Sequence, residues 1–188
     1  MRDLSLHLLD IVQNSIRAKA ALISIHMIYE DQGILILNVD DDGQGMDPEL
    51  LSRVQNPFTT TRIERRIGLG IPLLTENARR TGGDVKIESS LGLGTSVTAI
   101  FHADHIDCIP LGDIAGTMVA LILSNPQSPD FDFHLQAHGK EASLDTRVMR
   151  QALSGVMLNE PDVIAWMQSS LQEEIQQVFG GTDYEIHR

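Results

Sequence analysis

Apolar positions along the chain change period several times, and each period predicts an element. Leu4, Leu8, Leu9, Ile11, Val12, Ser15 and Ile16 recur at three- and four-residue spacing. That spacing predicts a helix over 4–19 with one buried face, capped by Asp3. Residues 21–29 (ALISIHMIY) and 34–40 (ILILNVD) alternate apolar and polar, as half-buried strands do, with Asp31-Gln32-Gly33 as the turn between them. DDGQG reads as a loop, and Asp47-Pro48 opens a short helix running to about Val54. Residues 56–70 are loop-like, with three threonines, a proline and two glycines. A helix over 71–80 is stopped by Gly82-Gly83. Two strands follow, 84–89 and 95–102, joined by the turn LGLG. The first hundred residues thus read α-β-β-α-loop-α-β-β, with hairpins forming a sheet and helices covering one of its faces.

The pattern shifts at 103–112. The apolar run 113–124 (DIAGTMVALILS) suits a buried helix or a strand, and its length favours the helix. FDFHLQA (131–137) alternates, and His138-Gly139 makes a hairpin turn into KEASL. Asp145 caps a short helix over 146–153, and Pro161 sits in the first turn of an amphipathic helix over 161–179, ended by Gly180-Gly181. The expected organisation is a domain over 1–102 and a small α/β appendage over 103–188.

Composition narrows the class. With 188 residues and 42% hydrophobic content the chain suits a globular protein of ordinary domain size. No apolar run reaches the ~18–20 residues of a membrane span, and MRDLSLHLLD does not read as a signal peptide. A single cysteine, Cys108, excludes an intramolecular disulfide and fits a reducing cytoplasm. The net charge of −12 argues against a nucleic-acid surface. The charge is uneven. Residues 1–100 carry 13 acids and 10 bases, and 101–188 carry 13 acids and 4 bases. Arg62, Arg65 and Arg66 form a local basic cluster that suits a small anionic ligand, or simply a solvated loop.

Four short motifs carry candidate chemistry. In DDDGQGMD (40–47) a carboxylate at a strand end is followed by glycines at two-residue spacing. A carboxylate accepts hydrogen bonds and selects an amino group such as that of adenine, while glycines let a flat base approach the backbone. On the first helix, Asp10, Asn14 and Arg17 share one face. They supply a carboxylate to orient water, an amide oxygen for Mg²⁺ and a guanidinium for phosphate. NPFTTTRIERRIGLG gathers hydroxyls, arginines and glycines, with Gly68-Leu69-Gly70 directly before a helix whose free N–H groups face an anion. The fourth is Gly92-Leu93-Gly94-Thr95.

In this order the motifs resemble the ATP-binding domain shared by DNA gyrase, the heat-shock chaperone, histidine kinases and the mismatch-repair ATPase, the GHKL superfamily with its Bergerat fold. LLDIVQNSIRAKA is similar to its N box, VDDDGQGM to its G1 box, NPFTTT to its F box, RIGLGIPLL to its G2 box and LGLGTSV to its last glycine box. The resemblance covers about residues 4–102. It implies an α/β two-layer sandwich, a mixed sheet with helices on one face, with ATP and Mg²⁺ as cofactors. By position it implies that Asn14 ligates Mg²⁺, that Asp10 stands at the catalytic acid and that Arg17 touches phosphate. Asp41 takes the adenine-binding place, with Gly43, Gly45 and Met46 beside it. Phe58, Thr59, Thr60, Thr61 and Arg62 belong to a short lid, Gly68, Leu69 and Gly70 to the phosphate turn, and Thr95 lies near the base. Two positions depart from the pattern. Asp10 is one methylene shorter than the gyrase-type Glu, and Ala18 replaces the aromatic ring of many histidine kinases.

The N box starts near residue 4, so the helix pair that carries the phospho-acceptor histidine of sensor kinases is not expected before it, and His7 lies on the N-box helix itself. The resemblance therefore implies a separate acceptor or regulated protein, with the acidic 103–188 segment as its dock. The alternatives are an ATP-hydrolysing switch and a nucleotide sensor without turnover. No nucleic acid or membrane is expected as a partner, and a homodimer stays open. His102, His105 and Cys108 have metal-like spacing but lack a fourth ligand in sequence.

Overall fold

The computed structural model describes residues 2–55 and 70–180. Helix α1 (Leu4–Arg17) starts at Asp3, whose carboxylate accepts from the Leu6 N–H. It ends two residues short of the predicted bound because Lys19 takes a left-handed φ of 59°. A hairpin follows, β1 (Leu22–Glu30) and β2 (Ile34–Asp41), turning through Gln32 and Gly33, both at positive φ. After α2 (Pro48–Gln55) and α3 (Gly70–Arg80) comes a second hairpin, β3 (Asp84–Ser90) and β4 (Gly94–His102). The remaining elements are α4 (Ile114–Ser124), β5 (Asp130–Ala137), β6 (Lys140–Asp145), α5 (Thr146–Leu153) and α6 (Pro161–Phe179).

All six strands form one mixed sheet in the order β3-β4-β2-β1-β5-β6. Every neighbouring pair is antiparallel except β1 and β5, which run parallel from Leu22↔Asp130 to Tyr29↔Ala137. A parallel pair needs a crossover, and α4 supplies it between β4 and β5. The strands after residue 103 thus extend the sheet begun by the first hundred residues. The backbone is joined there too, since the Leu4 and Ser5 N–H groups donate to the Pro110 and Leu111 carbonyls.

Strand alternation decides which face is covered. Ile23, Ile25, Met27 and Tyr29 of β1 are buried, as are Phe131, Phe133 and Leu135 of β5, while the residues between them remain partly open. The buried side meets helices packed side by side, α1 against α3 and α4, and α4 against α6. Helix α4 is apolar on nearly all sides because it sits between two helices and above the sheet. The architecture is the expected two-layer α/β arrangement. Its other face is largely polar, with His26 and His134 stacked at 5.0 Å across the parallel pair.

Candidate functional site

The register of the sheet assembles one end of the site. Ser89, Thr95, Asp41 and Ile23 are cross-strand partners in a single rung through β3, β4, β2 and β1. Asp41 continues the helix-facing register of Leu35, Leu37 and Val39, so it points to the covered side, whereas Asp40 points to the open one. Asp42 has a different task, accepting from the Ala21 and Leu22 N–H groups at 2.7 and 2.9 Å. It ties the loop to the start of β1.

Both oxygens of Asp41 are held. Oδ1 accepts from the Gly43 N–H at 2.9 Å, and Oδ2 accepts from the Ser15 hydroxyl on α1 at 2.7 Å. The loop beyond it is pinned at each step. Gln44 N–H donates to the Ala18 carbonyl, and Gly92 N–H donates to the Gln44 carbonyl. Met46 N–H donates to Ser89 Oγ at 2.8 Å. Ser89 Oγ also lies 2.9 Å from both the Gly94 carbonyl and Thr95 Oγ1, so this one hydroxyl joins the 41–46 loop to the 90–95 turn.

The glycines serve this packing. A Cβ on Gly43 would lie 2.8 Å from the Ala18 carbonyl oxygen, and one on Gly45 would run into the Ser90 backbone. Gly45 has φ +64°, so a side chain there is strained as well as crowded. Their absent side chains let the 41–46 loop close against Ala18 and against the 90–95 turn.

Asp10, Asn14 and Arg17 line α1 beside this rung. Asn14 Oδ1 accepts from the Arg17 guanidinium at 3.1 Å. Asp10 Oδ2 is buried and has no hydrogen-bond partner among the described residues. It presses on Gly70, the first residue of α3, where an added Cβ would lie 2.6 Å from the carboxyl carbon. A negative group at a helix N-terminus is favourable, because the first N–H groups there have no partner within the helix. Phe58, Thr59, Thr60, Thr61, Arg62, Gly68 and Leu69 lie outside the described residues.

Mg²⁺ takes hard oxygen donors, keeps several waters and needs one or two protein ligands beside the phosphates. The amide oxygen of Asn14, held by the Arg17 guanidinium, is a donor of that kind, and the Asp10 carboxylate stands one helical turn away. Among the described residues no group of three or more His, Cys, Asp or Glu side chains suits a metal, so the His102–Cys108 spacing does not close into a site. A shallow depression of about 770 Å³ lies at the opposite end of β1, around Tyr29, Asp31 and His138, and takes no part in this arrangement.

His7 explains how α1 is fixed to α3. It is fully buried, and the Asn77 side-chain amide lies 2.9 Å from its Nε2. The amide donates there, which leaves the ring proton on Nδ1, an atom without a partner among the described residues. Burial lowers its pKa to about 4, from an ordinary 6.5. The folded protein therefore holds the ring neutral, while the unfolded chain takes up a proton below pH 6.5. The stability tied to neutral His7 is complete above pH 6.5 and is lost as the pH falls towards 4, by up to ~3 kcal/mol. Urea midpoints measured from pH 7 to 5 should fall in the wild type. They should fall less in His7→Gln, which keeps an acceptor for Asn77 but does not titrate.

The family described as histidine kinase-, DNA gyrase B- and HSP90-like ATPase matches residues 2–105, and the chain belongs to it. Membership makes this an ATP-binding domain of the histidine-kinase-like type. Sporulation kinase C of Bacillus subtilis (strain 168) is 32% identical over 89 residues, covering 46% of this chain and 20% of the kinase. Histidine protein kinase DivJ of Caulobacter vibrioides is 39% identical over 70 residues, covering 35% of this chain and 12% of the kinase. The matches thus span a fifth or less of those proteins. The crystal structure of an N-terminal domain of a DNA repair protein shares the fold at a TM-score of 0.51 and 17% identity, covering 96% of this chain and 58% of that one. No described helix is long and apolar enough to cross a membrane.

Proposed function

We propose that this chain binds Mg-ATP and passes the γ-phosphate to a residue on a separate protein, in a regulatory role in the cytoplasm. The observation that carries the reading is the Asp41 carboxylate. It is held by donors on both oxygens, in one rung with Thr95 and below a helix bearing Asn14 and Arg17. Asp41 takes the adenine amino group, with Gly43, Gly45, Met46 and Thr95 forming the wall around the base. Gly68, Leu69 and Gly70 offer the N-terminus of α3 to the phosphates. Phe58, Thr59, Thr60, Thr61 and Arg62, outside the described residues, are assigned to ATP binding. Asn14 holds Mg²⁺, which when bound offsets charge on the phosphate oxygens. Arg17 leaves Asn14 to meet phosphate. In the transfer, a nucleophile on the acceptor bonds to the γ-phosphorus as the bond to the β,γ-bridging oxygen breaks, and ADP leaves. The acidic 103–188 segment serves as the dock for the acceptor.

A second reading has its own support. The buried, unpartnered Oδ2 of Asp10 at the start of α3 suits a carboxylate that orients water, which favours an ATP-hydrolysing switch. Purified protein incubated with γ-labelled Mg-ATP, alone and with cell lysate, separates the two. Label on a lysate protein is the expected result. Free phosphate without added protein favours the switch, and neither product leaves a nucleotide sensor.

A further inference from the structure

We infer that Ser15 is a positioning residue that sets the base specificity of Asp41, an inference that rests on the reading of Asp41 as the adenine-binding group. Ser15 sits in the apolar stripe of α1 and is only 3% exposed. A hydroxyl in such a place needs a reason, because burying an unpaired one costs stability. Two acceptors lie in reach. The Ile11 carbonyl, one turn back, is 3.5 Å away, and Asp41 Oδ2 is 2.7 Å away. The shorter contact ends on a carboxylate, and charge-assisted hydrogen bonds are both shorter and stronger than neutral ones. The single proton of Ser15 therefore goes to Asp41.

The consequence lies in the geometry of the carboxylate. Gly43 N–H holds Oδ1 from the loop, and Ser15 O–H holds Oδ2 from the helix. Donors from two different elements, one on each oxygen, fix the plane of the group and keep it acceptor-only. An acceptor-only carboxylate bonds to the 6-amino group of adenine and repels the 6-oxo group of inosine or guanine. Without the Ser15 hydroxyl, one oxygen loses its fixed donor, and the group is free to turn about its side-chain bonds. Discrimination between amino and oxo bases then weakens even though Asp41 itself is still present. Ser15 would also link base recognition to Asn14, its neighbour on the same helix, so the two ends of the nucleotide are positioned by adjacent residues.

The test compares ATP with inosine triphosphate, which differs in the purine by the amino-to-oxo change. Affinities of both are measured by calorimetry for the wild type, Ser15→Ala, Ser15→Cys and Asp41→Asn, with thermal midpoints recorded for each. Ser15→Ala should lower ATP affinity about tenfold and leave inosine triphosphate nearly unchanged, so the preference for ATP narrows by the same factor. Ser15→Cys keeps the volume but offers only a weak donor, and it should narrow the preference in the same direction. It also serves if the alanine variant does not fold. An unchanged preference in folded Ser15 variants overturns the role of Ser15. Equal losses for both nucleotides, with a lower thermal midpoint, also overturn it, because they mark Ser15 as a packing residue. If the wild type shows no preference, or Asp41→Asn binds ATP as the wild type does, the reading of Asp41 fails first and takes this inference with it.

Discussion

Asp41→Asn should lower ATP affinity by ten to a hundredfold and leave the fold in place. The asparagine keeps one acceptor oxygen, which can still receive the Gly43 N–H or the Ser15 hydroxyl. Its other position becomes an amino group, and that donor faces the donor amine of adenine. A lost hydrogen bond to a charged group in a closed site is worth ~1.5–3 kcal/mol, the factor stated. The fold has little reason to follow. If Asn turns its oxygen to Gly43, the Ser15 hydroxyl can fall back on the Ile11 carbonyl at 3.5 Å. Asp41→Ala is a harsher variant, since it also strips the buried Gly43 N–H of its acceptor. Calorimetric titration with ATP checks the effect, and circular dichroism and a thermal midpoint check the fold. Unchanged affinity in the folded Asn variant removes Asp41 from the site.

Much of this arrangement is legible from the residues, because its elements are local. The hairpin turns at Gln32-Gly33 and His138-Gly139 adopt positive φ, where glycine and a few polar residues are tolerated. Asp3, Asp113 and Asp145 each cap the helix that follows, through a carboxylate that accepts from a first-turn N–H. The run 113–124 resolves to a helix that carries the chain from β4, past β2 and β1, to β5, which runs parallel to β1. Long-range relations are harder. The pairing of β1 with β5 joins residues about a hundred positions apart, and alternation along a strand shows which residues share a face but not which strand lies beside it.

The same distinction holds within the site. Asp41 and Thr95 belong to motifs that sequence order makes visible. Ser15 falls inside the N-box stretch but at a position to which the resemblance assigns no role, and Ser89 lies outside every motif. Ser15 counts in the apolar stripe by period alone, and Ser89 precedes the glycine turn without belonging to any motif. Each becomes informative only when another element brings it a partner, Asp41 in one case and Met46 with Thr95 in the other. A usable signal exists for Ser15, namely a hydroxyl inside an otherwise apolar helix face beside a polar motif residue. For Ser89 the register of the β3–β4 hairpin, once the turn is placed, puts it opposite Thr95.

Asp10→Asn should separate binding from turnover. The substitution keeps the size of the side chain and its fit against Gly70, so α1 and α3 remain packed. It removes the carboxylate whose Oδ2 is buried and has no partner among the described residues. If Asp10 is the general base, ATP affinity holds within a few-fold while phosphate release falls by ~10²–10⁴. The side chain is short, so the wild-type hydrolysis rate is itself expected to be low. A kinase with a separate acceptor has no need of fast hydrolysis. Single-turnover consumption of Mg-ATP, measured with and without the acceptor protein, reads both activities in one experiment. Should the variant hydrolyse and transfer at the wild-type rate, Asp10 is a packing residue of the α1–α3 contact and has no part in the chemistry. Should hydrolysis fall while transfer persists, the base for transfer lies on the acceptor. Asn14 and Arg17 would then be the residues of α1 that act on the phosphates.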